Sequence, residues 1–267
     1  MVRKRIRYGQ NFIKAPDLAA SIVARADLSS DEVVIEVGPG EGIFTVELAK
    51  RVGRVVAYEI DTDLATRLRK LTTRLPNVEV VTGDFLECPM PDGPFSTFSN
   101  LPFNITADAV RRFKSAPDLR CAYLGVQREA AQKHCGDPVE TESSILAKPW
   151  FEFCWFHHFD REDFEPVPAV DVDIFRMARR DHPLLPPEDR EAYTRFVRYG
   201  FRSTKADLKA GFSKVFSYTQ WKRLARDLHF PVNALPTQLN VDQWTSLYRY
   251  FTAGVTDDKK RITGLHP

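Results

Sequence analysis

The sequence has few of the features that mark a secreted or membrane protein. Its 267 residues include four cysteines, none in a Cys-x-x-Cys pair and none with a partner histidine at zinc-finger spacing. Neither a disulfide framework nor a structural zinc is therefore expected. No apolar run approaches the roughly 18 to 20 residues that cross a bilayer, and the basic segment 1–10 lacks the apolar core of a signal peptide. We expect a cytoplasmic protein that binds neither membrane nor metal.

The charges are distributed unevenly along a chain of ordinary globular composition. The formal net charge is only +2, yet residues 1–14 carry five basic side chains and no acid. Residues 31–100 hold 7 Lys or Arg against 12 Asp or Glu, and residues 176–226 hold 13 against 5. Basic ends around an acidic middle suggest a polyanion such as RNA or DNA held from the sides, with a positively charged or amine-bearing ligand at the centre.

Strand and helix patterns alternate through the first two thirds of the chain. The β-branched run 33–37 leads through a glycine turn into helical spacing, and further strand patterns end at Glu59, at Gly83-Asp84 and at Asn100. This alternation predicts an α/β fold, a mostly parallel sheet covered by helices, with ligands at the carboxyl ends of the strands.

After Arg180 the pattern becomes helical, and prolines mark a linker. We predict two domains, residues 1–180 with a basic N-terminal arm and residues 181–267, which are all-helical. Basic residues recur at steps of three and four in the second domain, which predicts one basic stripe on a helix that would bind RNA. The stripe consists of Arg195, Arg198, Arg202, Lys205 and Lys209.

Three consecutive strand ends carry groups that suit a nucleoside without phosphates. In Glu36-x-Gly38-x-Gly40-x-Gly42, glycines let the backbone turn sharply and approach a ligand. Position 43 is isoleucine, so the Gly-x-Gly-x-x-Gly pattern of dinucleotide-binding folds is not matched. Glu59 can accept hydrogen bonds from ribose hydroxyls, and Asp84 can accept one from an adenine amino group. These contacts are the ones that S-adenosylmethionine needs.

Asn100-Leu101-Pro102-Phe103 follows a fourth strand and suits an exocyclic amine on a base. Such an amine is a poor nucleophile because its lone pair is delocalised, so it must be positioned and its protons must be hydrogen-bonded. The Asn100 side-chain oxygen and the Leu101 carbonyl can accept both protons, and Pro102 fixes the backbone between them. Phe103 offers a ring on which the base can stack. Taken alone, the same motif also fits an ordinary strand-to-loop turn with a buried phenylalanine.

The chain resembles the rRNA adenine-N6 methyltransferases, through motifs that recur in order over most of the first 180 residues. Phe103 in place of tyrosine and two later segments make it similar to the Erm group within that family. The shared motifs are Gly-Gln-Asn-Phe at 9–12, Glu-Val-Gly-Pro-Gly-Glu-Gly at 36–42, Tyr-Glu-Ile-Asp at 58–61, Gly-Asp at 83–84 and Asn-Leu-Pro-Phe-Asn at 100–104. The later segments are Lys148–Phe153 and Phe164–Asp171.

This resemblance implies a Rossmann-like S-adenosylmethionine-dependent methyltransferase domain and a small helical C-terminal domain. It implies N6-methylation of an adenine in 23S rRNA, protein-free or during ribosome assembly, by a monomer, with resistance to macrolide, lincosamide and streptogramin B antibiotics. Asn11, Ile13, Gly38, Glu59, Asp84 and Asn100 would line the donor site, and Asn100, Leu101, Pro102 and Phe103 would hold the adenine. The alternatives are an adenine dimethyltransferase of small-subunit 16S rRNA and a non-catalytic nucleic-acid-binding protein with the same fold.

Overall fold

The computed structural model describes residues 12–202, 207–262 and 264, which divide into two compact units. Within this part of the chain, the first unit comprises the residues up to Ala131 together with Phe153–Arg179. The second unit comprises Gln132–Glu152 and the chain from Arg180 onward. The sequence predicted a single boundary after residue 180, whereas the structure groups residues 132–152 with the second unit.

Contacts within the second unit explain this grouping. The Tyr193 hydroxyl donates to the Ile145 carbonyl at 3.2 Å, and the Arg198 guanidinium lies 3.3 Å from a Glu142 carboxylate oxygen. The rings of Trp150 and Tyr193 pack edge to face at 5.8 Å. Residues about 50 positions apart in sequence therefore share one core, which local sequence patterns do not reveal.

The described part of the first unit is built on a seven-stranded sheet with a two-stranded sheet beside it. The strands are β1 Phe12–Ile13, β2 Val33–Val37, β3 Arg54–Glu59, β4 Val78–Thr82, β5 Phe95–Asn100, β6 Leu119–Gln127, β7 Phe151–His158, β8 Phe164–Glu165 and β9 Val172–Arg179. The order in the larger sheet is β4-β3-β2-β5-β6-β9-β7, and β1 pairs with β8. The first five strands in that order run parallel, and β9 runs antiparallel to β6.

Helices connect β2 to β3, β3 to β4 and β5 to β6, as the alternating sequence pattern predicted. The helices of the first unit are α1 Pro16–Arg25, α2 Ile43–Ala49, α3 Thr62–Leu71, α4 Thr106–Ser115 and α5 Arg128–Cys135, the last of which continues into the second unit. Val34 and Phe98, on the adjacent strands β2 and β5, are fully buried, and Phe44 of α2 packs edge to face against Phe98 at 4.9 Å. The predicted Rossmann-like α/β architecture is confirmed.

The second unit is a helical assembly with an aromatic core. Its described helices are α6 Glu142–Ala147, α7 Arg190–Phe201, α8 Leu208–Gly211, α9 Tyr218–Asp227, α10 Val241–Gly254 and α11 Asp257–Ile262. The Phe196 ring lies 5.0 Å from those of Phe212 and Phe251, and Trp244 is fully buried. Asn240 caps α10 by accepting from the Gln243 backbone N–H at 3.0 Å. Among the described helices, none is both long enough and apolar enough to cross a membrane.

Candidate active site

Four parallel strands bring their carboxyl ends to one edge of the sheet. β2, β3, β4 and β5 end there, and the predicted site residues follow each end. β2 lies between β3 and β5. The chain runs from β2 through β3 to β4 on one side of β2 and then crosses to β5 on the other side. Ligands of open α/β sheets bind in the crevice that forms at such a reversal of strand order.

The glycine turn after β2 has a backbone that other residues rarely adopt. Gly38 has φ +68° and Gly40 has φ +57°, in the left-handed region. A Cβ built on Gly38 would meet the Pro102 ring at 3.1 Å, and one on Gly40 would meet the Phe12 ring at 2.3 Å. Both glycines are required because Phe12 and Pro102 approach the turn closely.

Glu59 at the end of β3 fixes this turn. Its two carboxylate oxygens accept the backbone N–H groups of Gly40 at 3.0 Å and Asp61 at 2.9 Å. Burial raises the pKa of Glu59, while these two backbone donors act in the opposite direction. Each oxygen can accept one further hydrogen bond, so the role predicted for Glu59 towards a ribose is compatible with this geometry.

A cavity of about 190 Å³ lies between the ends of β2, β3 and β4. It brings together three residues that the sequence predicted, Gly38, Glu59 and Asp84. Its apolar wall, which includes Ile60 and Phe85, was not predicted from the sequence. Ile60 is 45% exposed, unusual for an isoleucine, and it directly follows the predicted acid. The cavity therefore has carboxylate acceptors beside apolar surface, as a nucleoside requires.

Arg112 of α4 holds the segment that forms the outer wall of this cavity, here called the purine loop, residues 83–89. Its guanidinium donates to the carbonyl oxygens of Phe85 and Cys88 and lies 4.8 Å from the centre of the Phe85 ring. The Tyr58 hydroxyl donates to the Pro89 carbonyl at 2.7 Å. Sequence patterns gave no signal for Arg112, because it lies 24 positions beyond Cys88.

A second cavity, of about 40 Å³, lies on the other side of Gly38 and Pro102, which line both cavities. It brings together the whole Asn100, Leu101, Pro102 and Phe103 motif. Its volume admits only a few water molecules. Phe103 is half-buried and packs against the apolar core of the first unit.

The N-terminal arm also reaches the smaller cavity. Ile13, predicted from the resemblance to line the donor site, lines this smaller cavity together with Phe12 and not the larger one. Both belong to β1, which pairs with β8 through Phe12 opposite Glu165 and Ile13 opposite Phe164. The predicted site residue Asn11 lies outside the described residues.

The Asn100 side chain is positioned by the neighbouring strand. Asn100 pairs with Gly125 of β6, and the Leu101 N–H donates to the Gly125 carbonyl at 2.9 Å. A Cβ on Gly125 would meet the Asn100 side-chain oxygen at 2.8 Å. Gly125 was not among the residues predicted from the sequence, although a glycine inside an apolar strand often marks a close approach.

Glu36 places a buried acid at the smaller cavity. It is 2% exposed, lines the cavity and accepts a hydrogen bond from the Thr45 hydroxyl at 2.5 Å. Burial raises its pKa to about 8, against the effect of the Thr45 bond. From the sequence, Glu36 was part of the glycine motif but had no predicted role in the site. Within the described ranges, no three His, Cys, Asp or Glu side chains are grouped so that they could hold a metal ion.

The predicted basic stripe of the second unit is not one helical face. α7 ends at Phe201 and α8 begins at Leu208, so the steps of three and four run across a break. Arg195 pairs with Glu191 at 2.8 Å, and Arg198 pairs with Glu142. Lys205 lies outside the described residues. The prediction of a single stripe was wrong because periodicity was counted beyond the end of the helix.

Comparisons with known proteins agree over nearly the whole chain. The family model for ribosomal RNA adenine dimethylase matches residues 1–253. An rRNA methyltransferase of Streptomyces thermotolerans is 37% identical over 248 residues, covering 92% of this chain and 83% of that protein. Ribosomal RNA small subunit methyltransferase A of Thermotoga maritima is 30% identical over 251 residues, covering 92% and 85%. The crystal structure of 23S rRNA methyltransferase ErmE superposes with a TM-score of 0.85 at 32% identity, covering 91% of this chain and 100% of that one.

Proposed function

Because the chain belongs to the ribosomal RNA adenine dimethylase family and is thus an rRNA (adenine-N6)-methyltransferase, we propose that it methylates a specific adenine of 23S rRNA and confers resistance to macrolide, lincosamide and streptogramin B antibiotics. The likeness to 23S rRNA methyltransferase ErmE supports the 23S target. The observation that carries the proposal is that Gly38 and Pro102 line both cavities. A donor in one cavity and a base in the other would therefore share a wall, which methyl transfer between them requires.

The residues around the larger cavity fit S-adenosylmethionine. Glu59 would accept from the ribose hydroxyls and Asp84 from the adenine amino group, with Ile60 and Phe85 against the purine. Gly38, Ile13, Asn100 and the N-terminal arm with Asn11 would hold the remaining part of the donor. When bound, S-adenosylmethionine supplies a methyl group on a sulfonium centre.

The Asn100 motif would prepare the acceptor amine. The Asn100 side-chain oxygen and the Leu101 carbonyl would accept the two N6 protons, which orients the nitrogen lone pair. Pro102 restricts the backbone between these acceptors, and Phe103 would stack on the flipped base. A dedicated strong base is not needed, because the proton can leave after the nitrogen becomes cationic. Positioning is the main contribution, since well-oriented reactants gain on the order of 7 to 11 kcal/mol.

Incubation with protein-free rRNA tests the proposal. The full chain is incubated with methyl-labelled S-adenosylmethionine and either 23S or 16S rRNA, in separate reactions. The modified base is then mapped and its methyl groups are counted. We expect label at one adenine of 23S rRNA and none with the Asn100→Ala variant. Label in 16S rRNA alone would contradict the 23S target, and label in neither RNA would contradict the activity.

The 16S rRNA enzyme is the second candidate, and the similarity to the small subunit methyltransferase of Thermotoga maritima favours it. Expression in a drug-sensitive bacterium separates the two functions. A 23S enzyme should raise the inhibitory concentration of a macrolide, whereas its Asn100→Ala variant should not. We further propose that the protein acts in the cytoplasm and that it is a monomer. Sedimentation at several concentrations would test the monomeric state.

A further inference from the structure

The outward face of α9 combines an exposed aromatic ring with basic side chains. Tyr218 is 63% exposed, and the Lys222 ammonium lies 5.6 Å from the centre of its ring. The side chains of Arg223 and Arg226 are 72% and 77% exposed. We propose that this α9 patch, formed by Tyr218, Lys222, Arg223 and Arg226, binds rRNA, with Tyr218 stacked on an unpaired base. The inference rests on the proposed function, since it assigns a contact for that substrate.

The fold of the second unit fixes which face of α9 is outward. Trp221, Leu224 and Ala225 are buried, and the Trp221 indole N–H donates to the Val232 carbonyl at 2.8 Å. Ser217 and Gln220 form a capping box at the start of the helix. The helix is therefore anchored at its apolar side and its first turn. Tyr218, Lys222 and Arg226, spaced by four residues, follow one another along the exposed surface beside this apolar side.

The α9 patch and α7 carry the same formal charge, but their cations have different acidic partners. Residues 218–227 and residues 190–201 each hold three cations and one acid. Arg223 and Arg226 both contact Asp227, at 3.4 Å and 2.8 Å, so one negative charge is shared by two guanidinium groups.

On α7, by contrast, each cation has a contact of its own. Arg190 lies 4.2 Å from the centre of the Trp150 ring, Arg195 contacts Glu191 and Arg198 contacts Glu142. Two acids, Glu191 and Glu142, thus contact the arginines of α7, whereas one acid, Asp227, contacts those of α9.

An exposed ring among cations matches the chemistry of single-stranded RNA. Every base has a π face that stacks on an aromatic side chain, while lysine and arginine contact phosphates. An acidic protein partner would form ion pairs with the cations but would have no base to stack on the Tyr218 ring, which is 63% exposed among them. We therefore assign the patch to an unpaired segment of the rRNA outside the target adenine.

Binding of the full-length protein to protein-free 23S rRNA, titrated at several salt concentrations, tests the assignment. Tyr218→Ala is compared with Tyr218→Phe, which keeps the ring. The double variant Lys222→Gln/Arg226→Gln is compared with Arg195→Gln/Arg198→Gln, which removes the same charge from α7. Donor affinity and thermal melting of each variant establish that the fold is intact.

We expect Tyr218→Ala to weaken RNA binding about 5- to 150-fold, the fold-change for loss of one stacked base, and Tyr218→Phe to bind as the wild type does. The α9 double variant should reduce the slope of log affinity against log salt by about 0.7 to 0.9 for each phosphate that the protein no longer neutralises, and the α7 double variant by less. Wild-type binding by both α9 variants, or equal effects of the two double variants, would overturn the assignment. RNA binding is measured separately from methyl transfer, so the two proposals can fail independently. A wild type that binds 23S rRNA through the α9 patch but does not methylate it would support the patch and contradict the proposed function.

Discussion

Among single residues, Phe103 has a structural role in packing and a proposed role in stacking on the target base. Its ring lines the smaller cavity and packs against the apolar core. We expect Phe103→Ala to slow methylation by an amount equivalent to about 1 to 3 kcal/mol in activation free energy, the range for base stacking. Donor binding should change little. Phe103→Leu keeps apolar packing without an aromatic face, and Phe103→Tyr keeps the ring. Unchanged turnover in Phe103→Leu would contradict a stacking role.

Gly125 is a residue whose importance lies in what it leaves room for. Because a Cβ there would meet the Asn100 side-chain oxygen at 2.8 Å, Gly125→Ala should displace that oxygen. A misplacement of about 1 Å in an active site can cost roughly 100-fold in rate, so we expect kcat to fall by that order. Calorimetric titration with S-adenosylmethionine should show a smaller loss of affinity than the loss in kcat, because Asn100 is only one of the residues assigned to the donor. A variant that keeps full kcat would show that the position of Asn100 is not critical.

At the scale of elements, Arg112 connects α4 to the purine loop. Replacement by glutamine removes charge-assisted hydrogen bonds, each worth about 1.5 to 3 kcal/mol. We expect the purine loop to loosen, which hydrogen exchange at residues 85–89 would detect, and the KM for the donor to rise about tenfold or more with little change in kcat. Arg111→Gln is the matched control, because Arg111 is exposed on the same helix and pairs with Asp108. Equal effects of the two variants would argue against the loop contact.

At the scale of the whole molecule, the buried acids make stability depend on pH. The pKa of Glu36 is about 8 in the folded protein against 4.5 in a solvated chain, so the folded state binds this proton more tightly. The stability that protonated Glu36 contributes to the folded state is fully present below about pH 4.5 and is lost as the pH rises towards about 8. Its slope is at most about 1.4 kcal/mol per pH unit. The raised pKa of Glu59 acts in the same direction.

Urea unfolding at about pH 5.5 and about pH 7.5 measures this dependence. The free energy of unfolding should be lower at the higher pH, and Glu36→Gln should flatten the difference. Glu41→Gln, an exposed carboxyl in the same turn, should leave it unchanged. An equal difference in the wild type and Glu36→Gln would show that Glu36 is not its source.

The kinds of elements and the order of the site motifs follow from local sequence patterns. The β-branched run 33–37 and the glycine turn are patterns over a few neighbouring residues, and local backbone preferences suffice to predict them. Parallel strands bring their ends to one edge, so the sequence alone sufficed to place Gly38, Glu59, Asp84 and Asn100 at that edge, although Asn100 lines a different cavity from Glu59 and Asp84.

The contacts between residues distant in the chain follow only from the packing of the elements against one another. Gly125 against Asn100, Arg112 on the purine loop and residues 132–152 within the second unit all depend on packing between elements. The pKa of Glu36 likewise depends on burial by several segments at once. The break between α7 and α8 limited the periodicity that suggested one basic stripe. A local pattern records the preference of a segment for helix or strand, whereas the neighbours of a side chain are set by how the elements pack against one another.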